Sequence, residues 1–177
     1  MNTSLVLALV GPNTTGLVHR LAAIAANHEA NWLSARMMNL AGQFAGVVHL
    51  EVPQARADAL KAALKEVERH GMSILITVGD PPLAHAPGDD LRLELVGTDH
   101  PGIVRDISSV LAHLGVSIER LVTDRVSGAC SGELLFRASA EIRVPADVST
   151  GKLRTALESL AQDLMIDLTL DTTGGAG

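Results

Sequence analysis

The stretch Leu91-Arg-Leu-Glu-Leu-Val-Gly-Thr-Asp-His-Pro-Gly-Ile-Val104 alternates, turns, and then changes period. Leu91, Leu93 and Leu95 alternate with Arg92 and Glu94, the period-two pattern of a half-buried strand. Beyond the turn, Ile103, Ile107, Val110, Leu111 and Leu114 fall on one face at helical spacing. The same text stands earlier in the chain. Leu5-Val-Leu-Ala-Leu-Val-Gly11 ends on a glycine 86 residues before Gly97. At that spacing Gly16 meets Gly102, Leu17-Val18 meets Ile103-Val104, and Leu21, Ile24 and Ala25 meet Ile107, Val110 and Leu111. Val52-Pro53 and Val144-Pro145 stand 92 residues apart, so the second copy has gained six residues. The Gly/Ser-rich run 127–132 is the place where a loop lengthens at little entropic cost. A register kept through strand and helix patterns marks an internal repeat.

Each copy reads strand, helix, strand, strand, helix, strand. In the first copy the expected elements are Ser4–Val10, Gly16–His28, Asn31–Leu40, Phe44–Val52, one helix over Gln54–His70, and Met72–Val78. In the second, the opening strand and helix are followed by Val116–Arg125, Leu134–Val144, a helix over Ser149–Gln162 with Leu153, Leu157 and Leu160 inward, and a strand alternating Ile166, Leu168 and Leu170. This order predicts an α+β chain of two ferredoxin-like βαββαβ modules, each an antiparallel four-stranded sheet with two helices on one face. The modules are expected at 1–79 and 90–171, with a Pro/Gly-rich linker at 80–89 and a frayed tail at 172–177. Modules this small bury little surface alone. On the helix-free face the second copy has Arg92 and Glu94, whereas the first has Val6 and Ala8, with Leu75 as a neighbour. An apolar sheet face is usually covered, so the other module or a second chain is expected there, and a homo-oligomer with it. Met37-Met38 reads as strand packing, and Lys61–Arg69 as a solvated helix face of mixed sign.

Composition narrows the function. Of 177 residues 47% are hydrophobic, which argues for packed cores, and 2% are aromatic, too few for stacking single-stranded bases. A net charge of −6 offers little to a phosphate backbone, so no direct nucleic-acid binding is expected. Cys130 alone makes neither a disulfide nor a thiolate-rich metal site. Seven histidines show no ligand spacing, so no metal and no cofactor are expected; His28 and His113 fall at helix ends that favour a cation. Met1-Asn2-Thr3-Ser4 lacks the basic region of a secretion signal, and Leu5–Val10 is too short to cross a bilayer. A cytoplasmic protein without a membrane partner is the expectation.

The chemistry concentrates in the first turn of each copy, Gly11-Pro-Asn-Thr-Thr-Gly16 and Gly97-Thr-Asp-His-Pro-Gly102. Pro101 suits a first helical position, Thr14 an N-cap, and Asn13 and Asp99 the turn itself. A helix N-terminus after a glycine suits an anion or a small zwitterion. A nucleoside triphosphate loop would need Lys and Ser/Thr after the second glycine, where Leu17 and Ile103 stand. Acylphosphatase chemistry on the same strand order would need an arginine in the loop; Arg20 and Arg105 come later, in the helices.

The run Gly-Thr-Asp-His-Pro-Gly-Ile-Val after a strand, followed by a helix and Gly115-Val-Ser-Ile118, resembles the ACT domain, a βαββαβ regulatory module that binds amino acids. Copy two matches its G-x-D-x-P-G-I-V signature closely and copy one more loosely, with Thr14-Thr15 where His100-Pro101 stand. The resemblance covers nearly the whole chain as two tandem modules, the layout of the glycine cleavage system transcriptional repressor family. It implies a non-enzymatic regulator acting through a protein partner, a transcription factor being one kind. It implies as ligand a small amino acid of the glycine or serine type. Its recurring ligand positions fall on Asn13 and Asn31 in copy one and on Asp99 and Ser117 in copy two. The site set that follows is Asn13, Thr14, Thr15, Gly16 and Asn31, with Asp99, His100, Pro101, Gly102 and Ser117. Backbone N–H groups near Gly16 or Gly102 would hold a carboxylate, and Asn13, Asn31 or Asp99 the ammonium or side chain. Asn31, expected on a buried strand end, would cost about 1–3 kcal/mol if unpaired.

Overall fold

The computed structural model describes residues 1–79, 87–127 and 134–172. Most of the insertion expected at 127–132, most of the expected linker, and the tail after Thr172 lie outside the described residues. The chain divides into two compact units, Met1–Leu83 and Ala84–Gly177. The first runs β1 (Asn2–Pro12), α1 (Leu17–Asn27), β2 (Asn31–Leu40), β3 (Gln43–Pro53), α2 (Ala57–Lys65) and β4 (Ser73–Val78). The second repeats it as β5 (Gly88–Thr98), α3 (Ile103–His113), β6 (Ser117–Ser127), β7 (Leu134–Pro145), α4 (Thr150–Leu164) and β8 (Ile166–Thr172). Both sheets are antiparallel throughout, in the orders β2-β3-β1-β4 and β6-β7-β5-β8. The chain is therefore α+β, with two ferredoxin-like units.

Period two sorts the strands as the sequence predicts. Leu5, Leu7 and Leu9 of β1 pack with Val48, Leu50 and Val52 of β3 under Leu21 of α1 and Leu60 and Leu64 of α2. Leu91, Leu93 and Leu95 do the same with Ala138, Ala140 and Ile142 under Ile107, Leu111, Leu153 and Leu157. Both cores are aliphatic, and no polar residue is buried among the described residues. His28 and His113 end their helices as expected, each with its Nδ1 against a helix carbonyl, Ile24 at 2.8 Å and Ser109 at 2.7 Å.

Two elements differ from expectation. The single helix over Gln54–His70 is instead a 3₁₀ turn (Gln54–Arg56), α2, and a second 3₁₀ turn (Glu66–His70) closed by Gly71 at φ 84°. The Glu68 carboxylate accepts the Ile74 N–H at 3.2 Å, tying this last tightened turn to β4. β5 begins at Gly88, so Gly88 and Asp89 pair with Pro145 and Val144 instead of belonging to the linker.

The glycine that ends each opening strand has a packing reason. A Cβ on Gly97 would lie 2.9 Å from Cα of Ile166, and one on Gly11 2.9 Å from Cα of Met72. Backbone as well as side-chain atoms of Ile166 and Met72 occupy that space, so moving a side chain alone does not clear it. Gly97→Ala is expected to destabilise the second unit by about 1–3 kcal/mol through overpacking. A urea titration reads this as a lower midpoint at unchanged slope.

The helix-free faces differ as the sequence suggests. In the first sheet Val6, Ala8 and Val10 align with Thr77, Leu75 and Ser73 on β4 and with His49, Val47 and Ala45 on β3. β2 adds Arg36 and Met38 to the same face. Met37 packs against the core, but Met38 is 51% exposed, so only half of the expected methionine packing occurs. In the second sheet Arg92 lies opposite Glu141 and Asp171, and Val96 opposite Arg137 and Asp167. There Arg92 pairs with Glu94 at 2.9 Å and Arg120 with Glu141 at 3.4 Å.

Candidate functional site

The loop between β1 and α1 is open. Gly16 takes φ 81°, a left-handed turn that favours glycine, and α1 starts directly after it. No side chain caps this helix. Thr14, expected as the N-cap, contributes its carbonyl to the Leu17 N–H at 3.3 Å instead. Its hydroxyl accepts a hydrogen bond from Nη2 of Arg20 at 3.0 Å. The N–H groups of Val18 and His19 lie in the first turn, where no intrahelical partner exists, and carry the positive end of the helix dipole. A Cβ placed on Gly16 would meet nothing within 4 Å. Asn13 and Thr15 are exposed beside this space. Nε of Arg20 is buried without a hydrogen-bond partner.

The loop between β5 and α3 has the same backbone and different neighbours. Gly102 takes φ 104° and α3 starts at Ile103, so Pro101 stands two positions before the helix and not at its first turn. Asp99 donates its N–H to the Leu134 carbonyl at 3.1 Å, and its carboxylate accepts from Nε of Arg125 at 2.6 Å. Arg105 donates to Asp106 at 2.7 Å. Both side chains fold back over the turn: a Cβ on Gly102 would lie 3.1 Å from Nη2 of Arg105 and 3.5 Å from Oδ2 of Asp106. The hydrogen bond from Arg105 holds the Asp106 carboxyl below the usual range, with smaller help from Arg105's charge and from His100, and Arg105 is raised in turn. His100 turns its Nδ1 to the Pro101 carbonyl at 3.2 Å.

Position by position, the two loops differ in charge. Arg20 occupies the place that Asp106 holds 86 residues later. Asn39 pairs with Phe44, opposite Gly11, just as Arg125 pairs with Phe136, opposite Gly97. The first loop is thus ringed by Asn13, Thr14, Thr15, Asn39 and Arg20, with no carboxylate among them. The second holds two carboxylates, each neutralised by an arginine.

Asn31 and Ser117 do not join these loops within their own modules. Asn31 pairs with Glu51, which pairs with Ser4, whereas Asn13 follows the far end of β1. Nine residues at about 3.3 Å each separate the two asparagines by roughly 30 Å. Ser117, aligned with Asp90 through Arg143, stands equally far from Asp99. Asn31 is exposed, so the desolvation cost expected of it does not arise.

Arg20 is the candidate site residue that the sequence passes over. Counted along the chain it lies outside the loop. Helical side chains lean toward the N-terminus, however, and a residue four positions after the turn reaches back over it. Among the described residues no group of three His, Cys, Asp or Glu is placed to hold a metal ion, and no helix is long and apolar enough to cross a membrane.

Two βαββαβ units, each with a glycine-started helix after its first strand, define a tandem ferredoxin-like protein. The ACT domain model matches residues 3–77. A UPF0237 protein of Methanopyrus kandleri is 36% identical over 74 residues, which span 42% of this chain and 77% of that protein. The chain belongs to the ACT domain family. Among solved structures, an unknown protein from Galdieria sulphuraria superposes with a TM-score of 0.82 at 26% identity, covering 98% of this chain and 99% of its own. A putative glycine cleavage system transcriptional repressor superposes at 0.70 and 13% identity over 97% of each chain, a likeness of fold.

Proposed function

We propose that this chain is a non-enzymatic, cytoplasmic regulator that binds a small amino acid, glycine or serine in type, at the first module's loop. The observation that carries this reading is the open turn at Gly16, followed by free helix N–H groups, with Arg20 hydrogen-bonded to the Thr14 hydroxyl beside it. A ligand carboxylate fits the helix end and the guanidinium, while Asn13 offers an acceptor to the ammonium. In the second module Asp99 and Asp106 already satisfy the cations that a carboxylate would seek. That module serves as a scaffold. The arrangement requires a ligand with different affinity for two states of the protein, and a protein partner that reads the difference. The net charge of −6 and the fold shared with a putative transcriptional repressor support action on transcription through that partner and not through DNA contact.

Calorimetric titration of the full chain with glycine, serine and inorganic phosphate tests this reading. One amino-acid site per chain is expected, with Asn13→Ala weakening it at least about tenfold, the worth of one or two lost hydrogen bonds. No heat with any amino acid would contradict ligand sensing and favour an interaction protein without a working site; heat with phosphate alone would assign the loop to a different anion.

A further inference from the structure

The second loop is closed by charges of its own. Asp99 holds the Arg125 guanidinium at 2.6 Å, and the Asp106 carboxylate lies over the Gly102 turn, 3.5 Å from where a Cβ would stand. The repeat puts Asn13 at the position of Asp99 and Asn39 at that of Arg125, each 86 residues earlier. The strand registers agree, since Asn39 pairs with Phe44 opposite Gly11 and Arg125 with Phe136 opposite Gly97. Asn13 and Asn39 are both exposed, and no side-chain hydrogen bond joins either to another described residue. From this correspondence we infer that Asn39 is the second side chain of the first module's site. Its amide and that of Asn13 hold the ligand's ammonium where Arg125 meets Asp99 in the other module. The inference rests on the amino-acid reading above and narrows it to ligands that carry an ammonium beside the carboxylate.

Side-chain length decides what these two positions can do. The amide nitrogen of an asparagine ends one bond nearer its own backbone than Nε of an arginine. On the same backbone frame, two asparagines therefore stop short of each other where Asp99 and Arg125 touch. The gap suits a small cationic group, and each Oδ1 accepts one of its N–H bonds. Charge points the same way. Asp99 carries a full negative charge and is met by a resident cation, whereas Asn13 is neutral and Asn39 brings no cation to compete with an ammonium. Arg20, whose Nη2 reaches the Thr14 hydroxyl at 3.0 Å, favours the carboxylate end of the same ligand. A bare carboxylate would satisfy Arg20 and the helix N–H groups and leave both amides unused. Asn31, the other amide of the family pattern, has no part in this arrangement, because it pairs with Glu51 at the opposite end of the sheet.

Calorimetry and side-chain amide NMR of the full chain test the inference. Wild type is expected to bind glycine or serine, and to bind acetate, which lacks the ammonium, at least about tenfold more weakly. Asn39→Ala should weaken glycine binding at least about tenfold. Asn13→Asp with Asn39→Arg, which transplants the ion pair of the second module, should abolish saturable binding. Asn31→Ala should leave the affinity unchanged. Asn39 is exposed near the end of an edge strand, so far-UV circular dichroism and the melting temperature of Asn39→Ala should match wild type. Saturating glycine should shift the side-chain NH₂ resonances of Asn13 and Asn39 and leave those of Asn31 in place. Wild-type affinity in Asn39→Ala, acetate bound as tightly as glycine, or an equal loss in Asn31→Ala would overturn the inference. The amino-acid reading itself falls only if wild type gives no heat with any amino acid, an outcome that overturns both.

Discussion

Leu157→Ala is expected to destabilise the second module by about 2–5 kcal/mol, the range for removing a fully buried leucine from a core that cannot collapse around the hole. Leu157 is 0% exposed, on α4, in the same cluster as Leu93, Leu111 and Leu153. That cluster is built from leucine, isoleucine, valine and alanine with a single phenylalanine, Phe136. Phe136 is the one large ring among the cluster's described members, so little is on hand to swing into the vacated volume. The neighbouring strand β5 carries Leu91, Leu93 and Leu95 from the centre of the sheet, held between β7 and β8, and cannot shift without breaking both ladders. Amide hydrogen exchange of Leu93 and Leu95 should accelerate by the same free energy if these amides exchange by global opening. Leu160→Ala, on the same helix but only partly buried, should cost less. Equal protection in wild type and Leu157→Ala would mean that α4 does not close this core.

Arg20→Glu is expected to lower amino-acid affinity at the first loop by at least about tenfold. A hydrogen bond to a charged group contributes roughly 1.5–3 kcal/mol, and each 1.4 kcal/mol is a factor of ten. The substitution removes the donor to Thr14 and sets a carboxylate where the second module has Asp106. It thereby recreates at one position the electrostatics of the loop already satisfied by its own side chains. Arg20→Lys keeps the charge but loses the planar fork, and an intermediate loss is expected. Asp106→Asn, in the other module, should leave the first site's affinity unchanged. Calorimetry on the three variants checks the order. Wild-type affinity in Arg20→Glu would remove the guanidinium from the site.

The strands and helices were legible because each rests on a local period. Leu5, Leu7 and Leu9 and their counterparts 86 residues on announce both the strand and its buried face, and the repeated register announces two modules. The contrast between Val6 and Arg92 was equally plain, since strand alternation assigns faces without any knowledge of the partner strands. What escaped the sequence depends on where chain segments return. Asp99 meets Arg125 only because β6 runs beside β7 in one register, with an irregularity between Ile118 and Arg120. Asn13 and Asn31 look like one site in a motif, yet α1 carries the chain back along the sheet and delivers Asn31 to the opposite end. The break of Gln54–His70 into two 3₁₀ turns around α2 left no trace in an uninterrupted helical pattern. The signature and the proposed use point to different loops. Gly-Thr-Asp-His-Pro-Gly is the closer match, but its Asp99 is paired with Arg125 and the nearby Asp106 with Arg105, while the looser Gly-Pro-Asn-Thr-Thr-Gly stays open.

The central claim is that the two loops, alike in backbone, differ in use. Amide NMR of the full chain titrated with glycine and with serine tests it residue by residue. The account predicts saturable shifts for Thr14, Thr15, Gly16, Val18, His19 and Arg20, with His100, Gly102, Ile103 and Arg105 unmoved. Shifts confined to the second set, or none in either, would contradict it.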